Sequence, residues 1–213
     1  MKTGRVFAIA VAFLILAVVG QPSESRADYI VYDNLGPNNS YGPGGFWFGT
    51  FNQETALAAT EFTPSASGYL SSLVLGMWHS TGNNNVTLSL FSGSLYGTAL
   101  WSQTFINPLG DYGSALSINN LNGPMLNAGS SYWLSAASDS TSEQVWDQNN
   151  TGAVSSVAVD DYGEGYYVYN PDVTLAMLVE ANDVTPTPIP ATLPLFGSGL
   201  VGLVGLRKRL LEK

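Results

Sequence analysis

The chain predicts an all-β fold, an antiparallel β-sandwich of jelly-roll-like type, flanked by an N-terminal signal peptide and a C-terminal transmembrane helix. Three observations predict it. Short runs alternate apolar and polar side chains, the period of a half-buried strand. Between those runs stand turn-forming clusters: Gly42-Pro43-Gly44-Gly45, Gly82-Asn83-Asn84-Asn85, Asn107-Pro108-Leu109-Gly110, Asn122-Gly123-Pro124 and Asn149-Asn150-Thr151-Gly152. Both ends carry uncharged apolar runs beside basic residues, and no helical periodicity lies between them.

At the start, Lys2 and Arg5 precede the apolar run Val6 to Val19, and small residues follow at Ser25 and Ala27. That order makes residues 1–27 a secretory signal peptide cut after Ala27, with a retained N-terminal anchor as the alternative. Residues 28–183 then have the length of one domain. Within them Tyr29 to Asp33, Phe46 to Phe51, Ala58 to Phe62, Leu70 to Trp78, Val86 to Leu90 and Ala99 to Ile106 read as strands. So do Ser114 to Ile118, Tyr132 to Ala136, Val154 to Asp160, Tyr166 to Tyr169 and Val173 to Val179. Val86, Leu88 and Leu90 share one face, with Thr87 and Ser89 on the other; Leu134 faces inward, as do Val173, Leu175, Met177 and Val179.

The tail has three parts. Residues 184–190 form a linker spaced by Pro186, Pro188 and Pro190, and residues 191–206 form an uncharged apolar run. As a helix that run reaches about 24 Å, and the stems of Arg207 and Lys208 help it span a hydrocarbon core of about 30 Å. Residues 207–213 are a basic tail in which Arg207, Lys208 and Arg209 act as a membrane stop on the cytoplasmic side. The alternative is a buried helix of a soluble domain, which Gly197, Gly199, Gly202 and Gly205 would each weaken by up to about 1 kcal/mol. Pro188-Ile189-Pro190-Ala191, followed by Leu193-Pro194-Leu195-Phe196-Gly197-Ser198-Gly199, glycine-leucine repeats and an Arg/Lys cluster, resembles the PEP-CTERM class of sorting signals of Gram-negative bacteria, in its Val-Pro-Leu-Pro-Ala variant. Ile189 replaces the glutamate of the Pro-Glu-Pro form, and Thr187 replaces a valine. The resemblance implies export across the inner membrane, processing by an exosortase, and a destination at the cell surface or in an extracellular matrix rich in exopolysaccharide, as in a biofilm.

Charge is distributed unevenly. All seven Lys and Arg residues lie in the terminal segments, whereas of sixteen acidic residues only Glu24 and Glu212 do. Residues 28–183 therefore carry fourteen acids and no Lys or Arg. No Lys or Arg salt bridge forms within such a domain, and nucleic acid is excluded as a partner because phosphate binding depends on Lys and Arg. Cysteine is absent, which removes disulfides and thiol chemistry and leaves the apolar core to hold the fold.

Catalysis finds little support. His79 is the only histidine, so a His-rich zinc site and a Cys-His pair are excluded, and no Gly-x-Ser-x-Gly elbow occurs in the domain. A pair of carboxylates cleaving a glycosidic bond is the enzymatic alternative, although the fourteen acids single out no pair. No catalytic residue is assigned. Asp160, Asp161 and Glu164 form an acidic turn that is a candidate for Ca²⁺, with a solvated turn as the alternative. Tyr162, Tyr166, Tyr167 and Tyr169 form a candidate glycan-binding cluster, since aromatic faces suit sugar rings. Phe46, Trp47, Phe48, Trp78 and Trp146 are spread along the rest of the domain, and Trp101 and Trp133 are expected to fill the core.

Tyr32-Asp33-Asn34-Leu35, Ala59-Thr60-Glu61-Phe62-Thr63-Pro64, the strand Val86 to Leu90 and the stretch Leu126 to Leu134 resemble the bacterial choice-of-anchor extracellular domains, type R in particular. The resemblance implies a β-rich exported module and supplies no catalytic residue. Together these features read as an exported, membrane-anchored or exosortase-processed surface module, non-catalytic and in contact with exopolysaccharide. The alternatives are an extracellular glycan-active hydrolase and a calcium-stabilised adhesin.

Overall fold

The computed structural model describes residues 27–51, 54–138, 141–161, 165–169 and 174–183. The expected signal peptide, the linker with its motif Pro188, Ile189, Pro190 and Ala191, the transmembrane helix and the stop Arg207, Lys208 and Arg209 lie outside the described residues, as do Tyr162 and Glu164. No helix of the described residues is long and apolar enough to cross a membrane.

Among the described residues the protein is all-β, with fourteen strands in two antiparallel sheets and a single 3-10 turn at Pro37–Asn39. Numbered along the chain, the smaller sheet runs β1 (Asp28–Asp33), β14 (Met177–Asn182), β4 (Gly68–Leu75), β8 (Leu116–Ile118), with β9 (Met125–Leu126) also on β4. The larger runs β5 (Met77–Gly82), β11 (Ser142–Asp147), β2 (Gly45–Phe51), β3 (Glu54–Phe62), β10 (Tyr132–Ala137), β6 (Asn85–Ser92), β7 (Trp101–Ile106). On β3 lies β12 (Val157–Asp161), which carries β13 (Tyr166–Tyr169).

Both sheets feed one apolar core. Val31, Leu70, Leu73, Leu75 and Val179 enter it from the smaller sheet; Phe48, Val86, Leu88, Leu90, Leu134 and Trp146 enter it from the larger. The alternation of β6 thus puts its three aliphatic residues inside, as expected. Strand β10 is buried on both faces: Leu134 joins the shared core, while Trp133 packs with Ala59, Leu95 and Ala158 in a separate cluster. Trp101 is half-buried at the margin of the main core. Leu175 is buried but belongs to an isolated bridge with Gln148 rather than to β14, and Val173 lies outside the described residues.

Two features depart from the expected strands. Leu70 to Trp78 is not one strand, because the chain leaves the smaller sheet at Leu75 and enters the larger at Met77. Gly76 makes that crossing: a Cβ there would stand 2.9 Å from Ala176 Cβ and 3.0 Å from Tyr41 Cγ. Its N–H donates to the Ala176 carbonyl at 3.0 Å and its carbonyl accepts from Asp147 N–H at 2.8 Å, which ties the crossing to both sheets. The second departure is β11, which pairs with β2 and β5 although its sequence, Ser-Glu-Gln-Val-Trp-Asp, places polar Ser142, Gln144 and Asp147 at buried positions.

Where the strand pairing lapses before β14, buried side chains substitute for it. Asn34 Nδ2 donates to the Leu175 carbonyl at 2.8 Å, and Asn34 Oδ1 accepts from Met177 N–H at 2.6 Å. Asn149 Nδ2 donates to the carbonyls of Thr174 and Ala153 at 2.8 and 2.9 Å. An apolar replacement would strand these backbone groups in the interior, at about 1–3 kcal/mol for each buried group left without a partner. Asn34→Leu is therefore expected to lower the unfolding free energy of the full chain by about 2–4 kcal/mol in a urea titration. A loss below about 0.5 kcal/mol contradicts the stitching role.

Candidate binding face

Strand β11 brings together rings that are far apart in the chain. Its Val145 pairs with Trp47 of β2 on one side and with Trp78 of β5 on the other, so the three share one face of the larger sheet. That face is turned away from the shared core, into which the alternate residues Phe48, Met77 and Trp146 project. The Trp47 and Trp78 ring centroids are 6.3 Å apart at 63°, and those of Trp78 and Tyr112 are 5.5 Å apart at 83°. Trp47 is 52% exposed and Tyr112 57%, with Trp78 half-buried between them. Positions 45 and 49, the nearest on the same face of β2, are glycines, so no side chain of that strand stands beside the Trp47 indole.

The row is fixed at its middle and at its Tyr112 end. Trp78 Nε1–H donates to Asp147 Oδ2 at 3.0 Å. Asp147 is buried, at 1% exposure, and this desolvation pushes its carboxyl above the ordinary value of 3.8, partly offset by hydrogen bonds from Trp78 and the Gly44 backbone. Tyr112 sits on the loop after β7, which Asn84 grips with both ends of its amide: Nδ2 donates to the Leu109 carbonyl at 2.7 Å, and Oδ1 accepts from Leu109 N–H at 3.1 Å. His79 N–H donates to the Gly110 carbonyl at 3.0 Å, and the Leu109 side chain is buried in the main core.

On the margin of β5 lies a polar cleft of about 480 Å³ lined by His79, Gly82, Asn83, Asn84, Asn85, Ile106 and Asn107. His79 Nδ1 lies 2.9 Å from Gln144 Oε1, while Gln144 Nε2 donates to the Asn83 carbonyl at 2.8 Å. Because that network orients the amide, its oxygen accepts and the His79 Nδ1 carries the proton. A neutral amide thus occupies the position behind the imidazole that a carboxylate fills in a catalytic triad.

The residues expected to bind ligand fall elsewhere. Tyr166, Tyr167 and Tyr169 lie on β13, which pairs with β12, and Tyr167 and Val168 are both exposed there. Asp160 Oδ1 accepts from Gly165 N–H at 3.1 Å, and Asp161 ends β12. Among the described residues no three of His, Asp and Glu gather as a group able to hold a metal ion. Tyr112 was not singled out by its sequence context. A signal for Trp47 was present, because in Phe46-Trp47-Phe48 an alternating strand must turn the middle ring away from its neighbours.

The raised pKa of Asp147 makes a pH-dependent contribution to stability. In the window from the unfolded value near 3.8 up to the raised folded value, the folded chain holds more protons at this site, so its contribution falls as pH rises and is unfavourable above the window. Asp147→Asn keeps an acceptor for Trp78 and cannot ionise. The melting temperature of Asp147→Asn, relative to the parent, is therefore expected to rise with pH across the range from 3.8 up to the raised folded value. A difference that stays constant across that range contradicts this role. The chain matches no known protein family and no curated protein.

Proposed function

We propose that the protein is an exported, non-catalytic surface or matrix module that contacts exopolysaccharide through Trp47, Trp78 and Tyr112. The observation that carries this reading is the row of three rings, with Trp47 and Tyr112 exposed and Trp78 half-buried between them, in which Asp147 holds Trp78 and Asn84 holds the Tyr112 loop. Aromatic faces gain by stacking against the apolar faces of sugars, and nearby amides and carboxylates supply directional hydrogen bonds to hydroxyls. The rings are steeply inclined to one another, at 63° and 83°, so they offer separate stacking surfaces rather than one flat platform, and the exposed Trp47 and Tyr112 rings each meet a sugar on their own. In this reading the two sheets are the leaves of a jelly-roll-like sandwich. The PEP-CTERM-like tail holds the chain in the inner membrane until an exosortase-type enzyme processes it, and the choice-of-anchor-like domain works outside.

Two measurements test this. Fractionation of cells expressing the chain with and without residues 186–213 is expected to find membrane association only with the tail, and a mature mass beginning at Asp28. Full-length cytoplasmic protein in both cases contradicts the export reading. Trp47→Ala and Tyr112→Ala in the full chain are each expected to weaken retention on immobilised exopolysaccharide by up to about tenfold, the scale of one aromatic stacking contact. Unchanged retention in both variants contradicts the assigned face.

A further inference from the structure

We infer that the glycan taken by the Trp47, Trp78 and Tyr112 face is uncharged, a polysaccharide without carboxylate, sulfate or phosphate groups. This rests on the glycan reading of that face and specifies its ligand class. An acidic sugar is held in a protein site by a guanidinium, an ammonium or a cluster of oriented backbone N–H groups. Residues 28–183 contain no Lys or Arg, and among the described residues there is no α-helix whose N-terminus would serve instead.

What stands around the rings is of the opposite sign. Asp147 is bonded to the Trp78 indole, Asp111 is exposed beside Tyr112, and Glu143 lies two positions before Val145, on the same face of β11. The faces of the rings themselves carry the negative lobe of the aromatic quadrupole, which disfavours an anion placed over them. The amide-lined cleft at His79, Asn83, Asn84, Asn85 and Asn107 lies on the other side of β5, because His79 alternates with Trp78, so the rings themselves carry the contact. Stacking is thus available at this face, and a Lys or Arg to neutralise an anion is not.

The test uses one backbone in two charge states. Detergent-solubilised full-length protein is titrated with hydroxyethylcellulose and with carboxymethylcellulose, and in parallel with dextran and dextran sulfate, at low salt. The uncharged member of at least one pair is expected to bind at least about tenfold more tightly, and the gap is expected to narrow as salt shortens the screening length. Asp111→Asn with Glu143→Gln is expected to narrow it in the same way, while Trp47→Ala weakens binding of the uncharged polymer. Binding of the charged members that Trp47→Ala weakens, and that equals or exceeds Trp47-dependent binding of the uncharged members at low salt, overturns the inference and leaves the glycan reading standing, whereas binding to the basic tail is unchanged by Trp47→Ala. Binding of none of the four polymers overturns both.

Discussion

A domain with no lysine or arginine must find neutral partners for every carboxylate it draws close to its surface, and the rest of the structure follows from that constraint. Asp33 accepts the Leu35 N–H at 2.8 Å and Asp183 accepts the Tyr29 hydroxyl at 2.9 Å. Asp28 takes the Asn182 amide at 3.3 Å, while Glu180 and Glu61 take the hydroxyls of Ser72 and Ser131. Asp147 takes the indole N–H of Trp78. Each arrangement satisfies an oxygen without cancelling its charge, so no Lys or Arg offsets the domain's net negative charge and cohesion comes from the interior.

The interior obeys the same rule. Between the sheets, Trp146 of β11 donates its Nε1–H to the Ala176 carbonyl at 2.9 Å, and Thr60 and Thr174 share a hydroxyl contact at 2.6 Å. With Asn34 and Asn149 these groups hold the chain from Thr174 to Met177, where ladder pairing lapses. Asn34 stands in the opening stretch Tyr32 to Leu35, and its role here is that of a backbone substitute. The later stretch Leu126 to Leu134 is also tied into the fold: Tyr132 hydroxyl accepts from Asn127 N–H at 2.9 Å, and Gly129 N–H donates to the Pro64 carbonyl at 2.9 Å.

How much of this was legible in the chain depended on whether a strand buried apolar side chains on a two-residue period. Val86, Leu88 and Leu90 did, and β6 lies where the alternation puts it. Gly76 hid the change of sheet, because an apolar run on either side reads as one strand and nothing local announces the crossing. Strand β11 was concealed by Gln144 and Asp147, polar residues whose burial is tolerated only because His79, Asn83 and Trp78 bond them. That concealment also hid the site. Trp47 and Trp78 become neighbours only across Val145, and Tyr112 joins them only because Asn84 clamps its loop, so a row built through an unrecognised strand had no signature in linear order.

If function at this face rests on rings because no cation is present to do the work, the tryptophans should divide into two groups on ligand binding. The five indole N–H resonances of the isotopically labelled protein report this directly during titration with an uncharged oligosaccharide. The account predicts movement of the Trp47 and Trp78 signals, with Trp101, Trp133 and Trp146 unmoved. Movement confined to the latter three, or binding heat with no indole displaced, would contradict it.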